Sequence, residues 1–175
     1  QLARFKGKWA SMAITEPNAG SDSAAIRTSA RKDGDHYVLN GEKIFVTAGA
    51  RSDCVVVWAT LDPSAGRAAI RSFVVEKGTP GMEVARLEHK LGIKASDTAT
   101  IVFSECRVPK ENLLGEPNKG YSVALATLGG GRIGIAAQAL GIAQAALEAA
   151  VRYAGERKQF DRTIGEFDAI RAMLA

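Results

Sequence analysis

The chain has 175 residues, 46% hydrophobic and 24% charged, a balance that excludes a disordered chain. Its formal net charge of +4 permits anionic ligands such as nucleotides and coenzymes without naming one. Neither Cys54 and Cys106, which read as buried reduced thiols, nor His36 and His89 show CxxC or HExxH spacing, so no metal site is expected.

From about Lys8 to Pro109 the pattern is that of short strands. Trp9–Thr15, His36–Leu39, Glu42–Thr47, Cys54–Thr60, Ile70–Glu76, Met82–Leu87 and Thr98–Phe103 are rich in Val, Ile, Phe and Thr and are separated by turn residues. Asn40-Gly41 between two of these runs predicts a type I′ hairpin, because both residues tolerate positive φ. Strands at this spacing with no helices between them predict an antiparallel sandwich or barrel. The loop Ile14-Thr15-Glu16-Pro17-Asn18-Ala19-Gly20-Ser21-Asp22-Ser23 leaves the first strand with small residues, exposed N–H groups and hydroxyls, a chemistry suited to anions or a polar ring edge and also to an ordinary turn.

Gly115, Pro117, Asn118 and Gly120 cluster at a boundary, giving a β-domain over 1–115 and a helical domain over 116–175. Beyond it Ile133, Ala136, Leu140, Ala143, Leu147, Ala150 and Ala154 recur at helical steps and stack on one face, as a bundle seam requires. The expected fold class is α+β: an antiparallel sandwich or barrel followed by an antiparallel helical bundle. Gly129-Gly130-Gly131-Arg132-Ile133-Gly134 fits G-x-G-x-x-G, but no second strand ending in an acidic residue follows, so a dinucleotide fold is rejected. Arg157-Lys158-Gln159-Phe160-Asp161-Arg162 reads either as solvated charge at a helix end or as a phosphate contact beside an aromatic platform. Charges of mixed sign make nucleic acid a poor partner. No signal peptide and no apolar run long enough to span a bilayer is expected, which points to a soluble intracellular protein. The chain opens at Gln1 and closes at Ala175 inside a helical run, as a fragment would.

Ala13-Ile14-Thr15-Glu16-Pro17-Asn18-Ala19-Gly20-Ser21-Asp22 resembles the T-E-P-x-A-G-S-D motif of acyl-CoA dehydrogenases. In family order follow Asn40-Gly41-x-Lys43; Lys90-Leu91-Gly92-Ile93 with Ser96-Asp97-Thr98; Val108-Pro109 before Leu113-Leu114-Gly115; Gly131-Arg132-Ile133; and Glu156-Arg157-x-x-Phe160. The run Gly131–Gly141 is most similar to short-chain, butyryl-type members. The resemblance implies FAD between β-domain and helices, with Met12, Ile14, Thr15, Gly20 and Ser21 lining the flavin. It places Phe45-Val46-Thr47 where the family has a Trp-containing triplet against the flavin ring, so ring packing survives and the indole N–H donor does not. It also implies that Ser21, Gly129 and Arg132 approach acyl-CoA, and that Arg157 and Phe160 approach the FAD of a neighbouring subunit in a homotetrameric dimer of dimers. Asp161 and Asp168 depart from the family's glycine and glutamine.

The implied reaction is FAD-dependent oxidation of a short-chain acyl-CoA to the trans-2-enoyl-CoA, in fatty acid metabolism. Electron-transfer flavoprotein is the expected acceptor, and the location is cytoplasmic in a bacterium or the mitochondrial matrix in a eukaryote. The catalytic glutamate is expected downstream of Ala175, because its alternative family position is Gly131 here; this fragment alone should then be inactive. The competing expectations are a related acyl-CoA oxidase or nitroalkane oxidase, or a non-catalytic domain binding CoA or a nucleotide.

Overall fold

The computed structural model describes residues 5–116 and 119–175; residues 1–4 lie outside the described residues, as do Pro117 and Asn118 of the expected boundary cluster. The chain divides into two compact units, Gln1–Ala126 and Thr127–Ala175. A sheet followed by helices is the α+β class that the change of period predicts.

In the first unit the strands are β1 (Ala10–Ala13), β2 (Ser29–Asp33), β3 (His36–Thr47), β4 (Cys54–Thr60), β5 (Ile70–Glu76), β6 (Met82–Leu87), β7 (Thr98–Pro109) and β8 (Leu113–Leu114). They form one eight-stranded sheet in the order β6-β7-β3-β2-β4-β5-β8, with β1 beside β4. Most neighbours are antiparallel, but β1 runs parallel to β4, as does the Ser29↔Thr60 pairing of β2 with β4. The sequence pattern does not predict β2 or β8. Ser-Ala-Arg-Lys-Asp has weak strand propensity and buries only Ala30 fully, while β8 is two residues long.

Side chains alternate across a strand, and β4 is buried on both faces. Val55, Val57 and Ala59 enter one cluster with Leu39, Phe73, Ile101 and Phe103; Trp58 enters another with Ile14, Ile26, Ile70 and Ala124. Burial of large apolar side chains is worth roughly 1.5–3 kcal/mol each. Cys54 and Cys106 are buried free thiols, and burial pushes Cys106 up to about 11.

Asn40-Gly41 does not turn the chain. β3 continues through it, and the hairpin lies earlier, where Gly34-Asp35 links the paired residues Asp33 and His36. Asn40 pairs with Ser29 of β2 but sits at a register shift against β7, where its Nδ2 donates to Glu105 Oε1 at 2.7 Å and its Oδ1 accepts the Glu105 N–H at 2.8 Å. Gly41 is required for space, since a β-carbon there would lie 2.5 Å from Thr28 Oγ1.

Helix α1 (Gly120–Glu156) starts in the first unit, where Tyr121 and Ala124 pack on the Trp58 cluster, and runs through the second. At 1.5 Å per residue it is about 55 Å long. Gly129, Gly130, Gly131 and Gly134 all lie inside it, so the rejected dinucleotide motif has no strand–turn–helix around it. Ile133 and Leu140 of the predicted stripe are 75% and 71% exposed, and Ile135, Ile142 and Val151 spread apolar surface further around the helix. By length and composition α1 could cross a membrane, its best window having a mean hydropathy of 1.3. Many alanines lift this average without a block of large apolar residues, so the helix makes no clear membrane span.

Beyond α1, β9 (Lys158–Gln159) pairs with β10 (Arg162–Thr163) across Phe160-Asp161. The turn residues have φ of 52° and 60°, the backbone a type I′ turn needs. A 3-10 turn over Ile164–Glu166, closed by a Thr163/Glu166 capping box, leads into α2 (Asp168–Leu174). Most of the basic cluster therefore sits on a hairpin and not on the helix end.

Candidate functional site

The first group of site residues lies where β1 gives way to a loop. Met12 is half-buried and Ile14 buried against the Trp58 cluster, so their side chains chiefly serve the core. Glu16 and Ala19 exchange N–H···O bonds of 3.0 and 3.1 Å, closing a turn over Pro17-Asn18. The turn delivers Gly20 and Ser21 to solvent, and a β-carbon at Gly20 would meet nothing within 4 Å.

The second group lies near the end of β3. Val46 is 1% exposed and faces the core, so it offers an incoming group its backbone alone. Phe45 is 61% exposed, and its φ of 57° is an uncommon conformation for an aromatic residue. The register explains it. Between Lys43↔Ile101 and Val46↔Ala99, β3 carries Ile44 and Phe45 against Thr100 alone in β7, and this bulge turns the ring outward. Ala48 also has a positive φ of 56°, so the triplet begins on one residue in the left-handed region and is followed by another. Thr47 is exposed, and its carbonyl accepts from Ser11 Oγ at 2.8 Å.

Two carboxylates brace these segments, and neither was singled out as a site residue from the sequence. Lys43 is wholly buried, and its Nζ lies 2.7 Å from Glu16 Oε1 and 3.1 Å from the Ile14 carbonyl. Glu16 also accepts the N–H groups of Arg27 at 2.6 Å and Thr28 at 2.9 Å. Burial pushes the Glu16 carboxyl up, but Lys43 and these donors outweigh it and hold the pKa below its ordinary value. Burial also depresses the Lys43 ammonium, to about 8, against the upward pull of Glu16. Asp97 accepts the Ala50 N–H at 2.9 Å, contacts Arg51 Nε at 3.4 Å, and receives the Ala48 N–H on its carbonyl at 2.9 Å. The available signal was a lysine and a glutamate inside otherwise apolar or small-residue motifs, where a charge cannot be buried alone.

Ile14 and Thr15 are thus joined to the triplet: the Thr15 carbonyl accepts the Ile44 N–H at 2.9 Å. Exposed Phe45, Thr47, Gly20 and Ser21 offer an aromatic face, hydroxyls and open backbone, which fit a flat ring with a polar edge. Gly129, Arg132, Arg157 and Phe160 belong to the other compact unit. A β-carbon at Gly129 or Gly131 would meet nothing within 4 Å. Arg132 and Arg157 are exposed, and Phe160 is 87% exposed at its hairpin tip, edge to face with Phe167 at 6.3 Å. Arg162 lies over the Phe167 ring at 4.1 Å, a brace on the hairpin that the sequence did not reveal.

Residues 11–106 match the acyl-CoA dehydrogenase middle domain and residues 118–175 the acyl-CoA dehydrogenase C-terminal domain. The chain is 49% identical over 162 residues to the short-chain specific acyl-CoA dehydrogenase of Clostridium acetobutylicum, covering 93% of this chain and 43% of that protein. It is 43% identical over 171 residues to the acryloyl-CoA reductase (NADH) of Anaerotignum propionicum, covering 97% of this chain and 43% of that one. The structure of butyryl-CoA dehydrogenase from Megasphaera elsdenii matches with a TM-score of 0.90 and 47% identity, over 96% of this chain and 44% of that chain. The chain spans less than half the length of these relatives. Sheet, loop, triplet and these matches agree: the chain belongs to the acyl-CoA dehydrogenase family.

Proposed function

We propose that the full-length protein containing these residues binds FAD and oxidises a short, straight acyl-CoA to the trans-2-enoyl-CoA. The observation that carries this reading is the outward Phe45 ring at a strained bulge, bonded through Ile44 and Thr15 to the Gly20-Ser21 loop. Strain of this kind persists where the surroundings enforce it, commonly at ligand sites. FAD, when bound, supplies the hydride acceptor. Phe45 would offer the ring an aromatic face, Thr47 and Ser21 would offer hydroxyls to its polar edge, and the family resemblance assigns Arg132 to the anionic coenzyme.

We also propose, from the family resemblance, that the α-proton goes to a glutamate outside these residues, since the alternative family position is Gly131 here and has no side chain. We further propose that Arg157 and Phe160 serve a neighbouring subunit in a homotetramer and that electron-transfer flavoprotein takes the electrons; the exposed hairpin and the family resemblance support this. Purified full-length protein should be yellow and should bleach anaerobically with butyryl-CoA. Protein that carries no flavin and takes none up on reconstitution would overturn the reading. Fast reaction of the reduced flavin with oxygen would point to an oxidase.

The 43% identity to an acryloyl-CoA reductase favours a second reading, in which the same site works towards reduction of a 2-enoyl-CoA. Faster reoxidation by a 2-enoyl-CoA than reduction by the saturated thioester selects it.

A further inference from the structure

We propose that Glu16 and Lys43 are a positioning pair that sets the two flavin-facing segments, 14–21 and 44–47, against one another; this rests on the FAD reading above. A buried ion pair is seldom worth more to stability than an apolar pair of the same shape, so a pair in this place calls for a role that apolar residues could not fill.

The geometry supplies that role. Lys43 is 0% exposed and stands at the last ladder position before the bulge that turns Phe45 outward. Its Nζ reaches across to the Ile14 carbonyl at 3.1 Å and to Glu16 at 2.7 Å, one residue on either side of Thr15. Thr15 itself accepts from Ile44, the other residue of the bulge, at 2.9 Å. Glu16 in turn holds the N–H groups of Arg27 and Thr28, at 2.6 and 2.9 Å, just beyond the 3-10 turn Ser23–Ala25 that follows Ser21. One ammonium and one carboxylate therefore fix the loop at its start and its end, and fix the strand at the point where the aromatic ring leaves it. Met and Gln fill the same space but cannot reproduce both contacts of the ammonium.

The test uses full-length protein with Glu16→Gln, Lys43→Met and the double variant, reading FAD dissociation constant, visible flavin spectrum and melting temperature. Lys43→Met leaves the Glu16 charge buried without its partner and should lower melting temperature, weaken FAD binding about tenfold or more and shift the flavin bands. The double variant removes the buried charges and should recover most of the melting temperature while FAD stays weakly bound and the bands stay shifted. If Lys43→Met does not fold, the double variant decides alone. FAD affinity at the wild-type level, or affinity that recovers in step with melting temperature, overturns the proposal. Wild-type protein that binds no FAD overturns the flavin reading instead.

Discussion

The indole Nε1–H of Trp58 donates to the carbonyl of Gly120 at 2.9 Å, joining the centre of the sheet to the first residue of α1. Trp58 is 1% exposed, so the bond is made in the core, where neither group can turn to water instead. Trp58→Phe keeps most of the apolar area but removes the indole donor from the Gly120 carbonyl, which keeps its bond within the helix, so the loss is that of one hydrogen bond, about 0.5–1.5 kcal/mol. A clear fall in melting temperature with the fold retained by circular dichroism is expected. Gly120→Ala should be worse, because its β-carbon would lie 2.6 Å from the Ile70 carbonyl oxygen.

Lys43 gives stability an unusual pH dependence. Its folded pKa, about 8, lies below the ordinary value of 10.5, so between these values the unfolded chain binds more protons than the folded one. By linkage the contribution of this group rises with pH through that window. Denaturant midpoints of wild type and Lys43→Met should therefore diverge in favour of wild type from about pH 8 to about pH 10. A gap that narrows contradicts the burial of the ammonium. Glu16 acts at the other end: its folded pKa lies below 4.5, so its contribution is present above that value and is lost as acid protonates it.

The hairpin tip separates interface chemistry from local strain. If the proposed contact with a neighbour's FAD holds, Arg157→Ala in the full-length protein should weaken FAD retention about tenfold or more, since a hydrogen bond to a charged group is worth about 1.5–3 kcal/mol. Phe160→Ala should do the same through lost ring packing. Asp161→Gly should leave FAD binding unchanged and raise stability by up to about 1 kcal/mol, because glycine adopts a φ of 60° freely while Asp merely tolerates it. Unchanged affinity in Arg157→Ala would reduce that residue to a solvated charge.

Gly131 offers a test of where the base resides. Replacing the glutamate proposed to lie downstream of Ala175 by Gln should leave FAD bound and abolish anaerobic bleaching by butyryl-CoA. Adding Gly131→Glu should restore a measurable rate, since the position is open to a side chain, with nothing within 4 Å of its β-carbon. If every downstream Glu→Gln variant bleaches at the wild-type rate, the base lies within these residues.

Most of the strand runs were legible because a period-two pattern in Val, Ile and Phe leaves few alternatives. The turn was misplaced because Asn-Gly is a local signal. What overrode it was remote: Glu105 occupying the Asn40 amide and Thr28 leaving no room for a side chain at position 41. Gly34-Asp35, where the chain does turn, carries a weaker version of the same signal. Phe45 and Ser21 could be named from motif resemblance, but the bulge that exposes Phe45 depends on how β3 registers with β7, which one strand does not encode. The Lys43–Glu16 pair stayed hidden for a related reason: 27 positions separate the partners, and each charge alone reads as solvated surface. The double positive φ at Phe160-Asp161 was masked because a phenylalanine is the last residue propensity would place there.

The sealing of β4 on both faces has a consequence for the order in which the protein comes apart. Its backbone pairs with β5 along its whole length, with β1 over Cys54–Val57 and with β2 at Thr60, so water reaches its amides only after neighbouring strands detach. Local opening elsewhere, at the two-residue β8 or the hairpin tip, leaves this strand covered. The amides of Val55–Ala59 should be the slowest in the sheet to exchange with deuterium, and their rate should report global unfolding. The loop proposed to meet the flavin follows β1, whose backbone is paired to this slow strand, so one end of the candidate site is anchored on the part of the sheet that opens last.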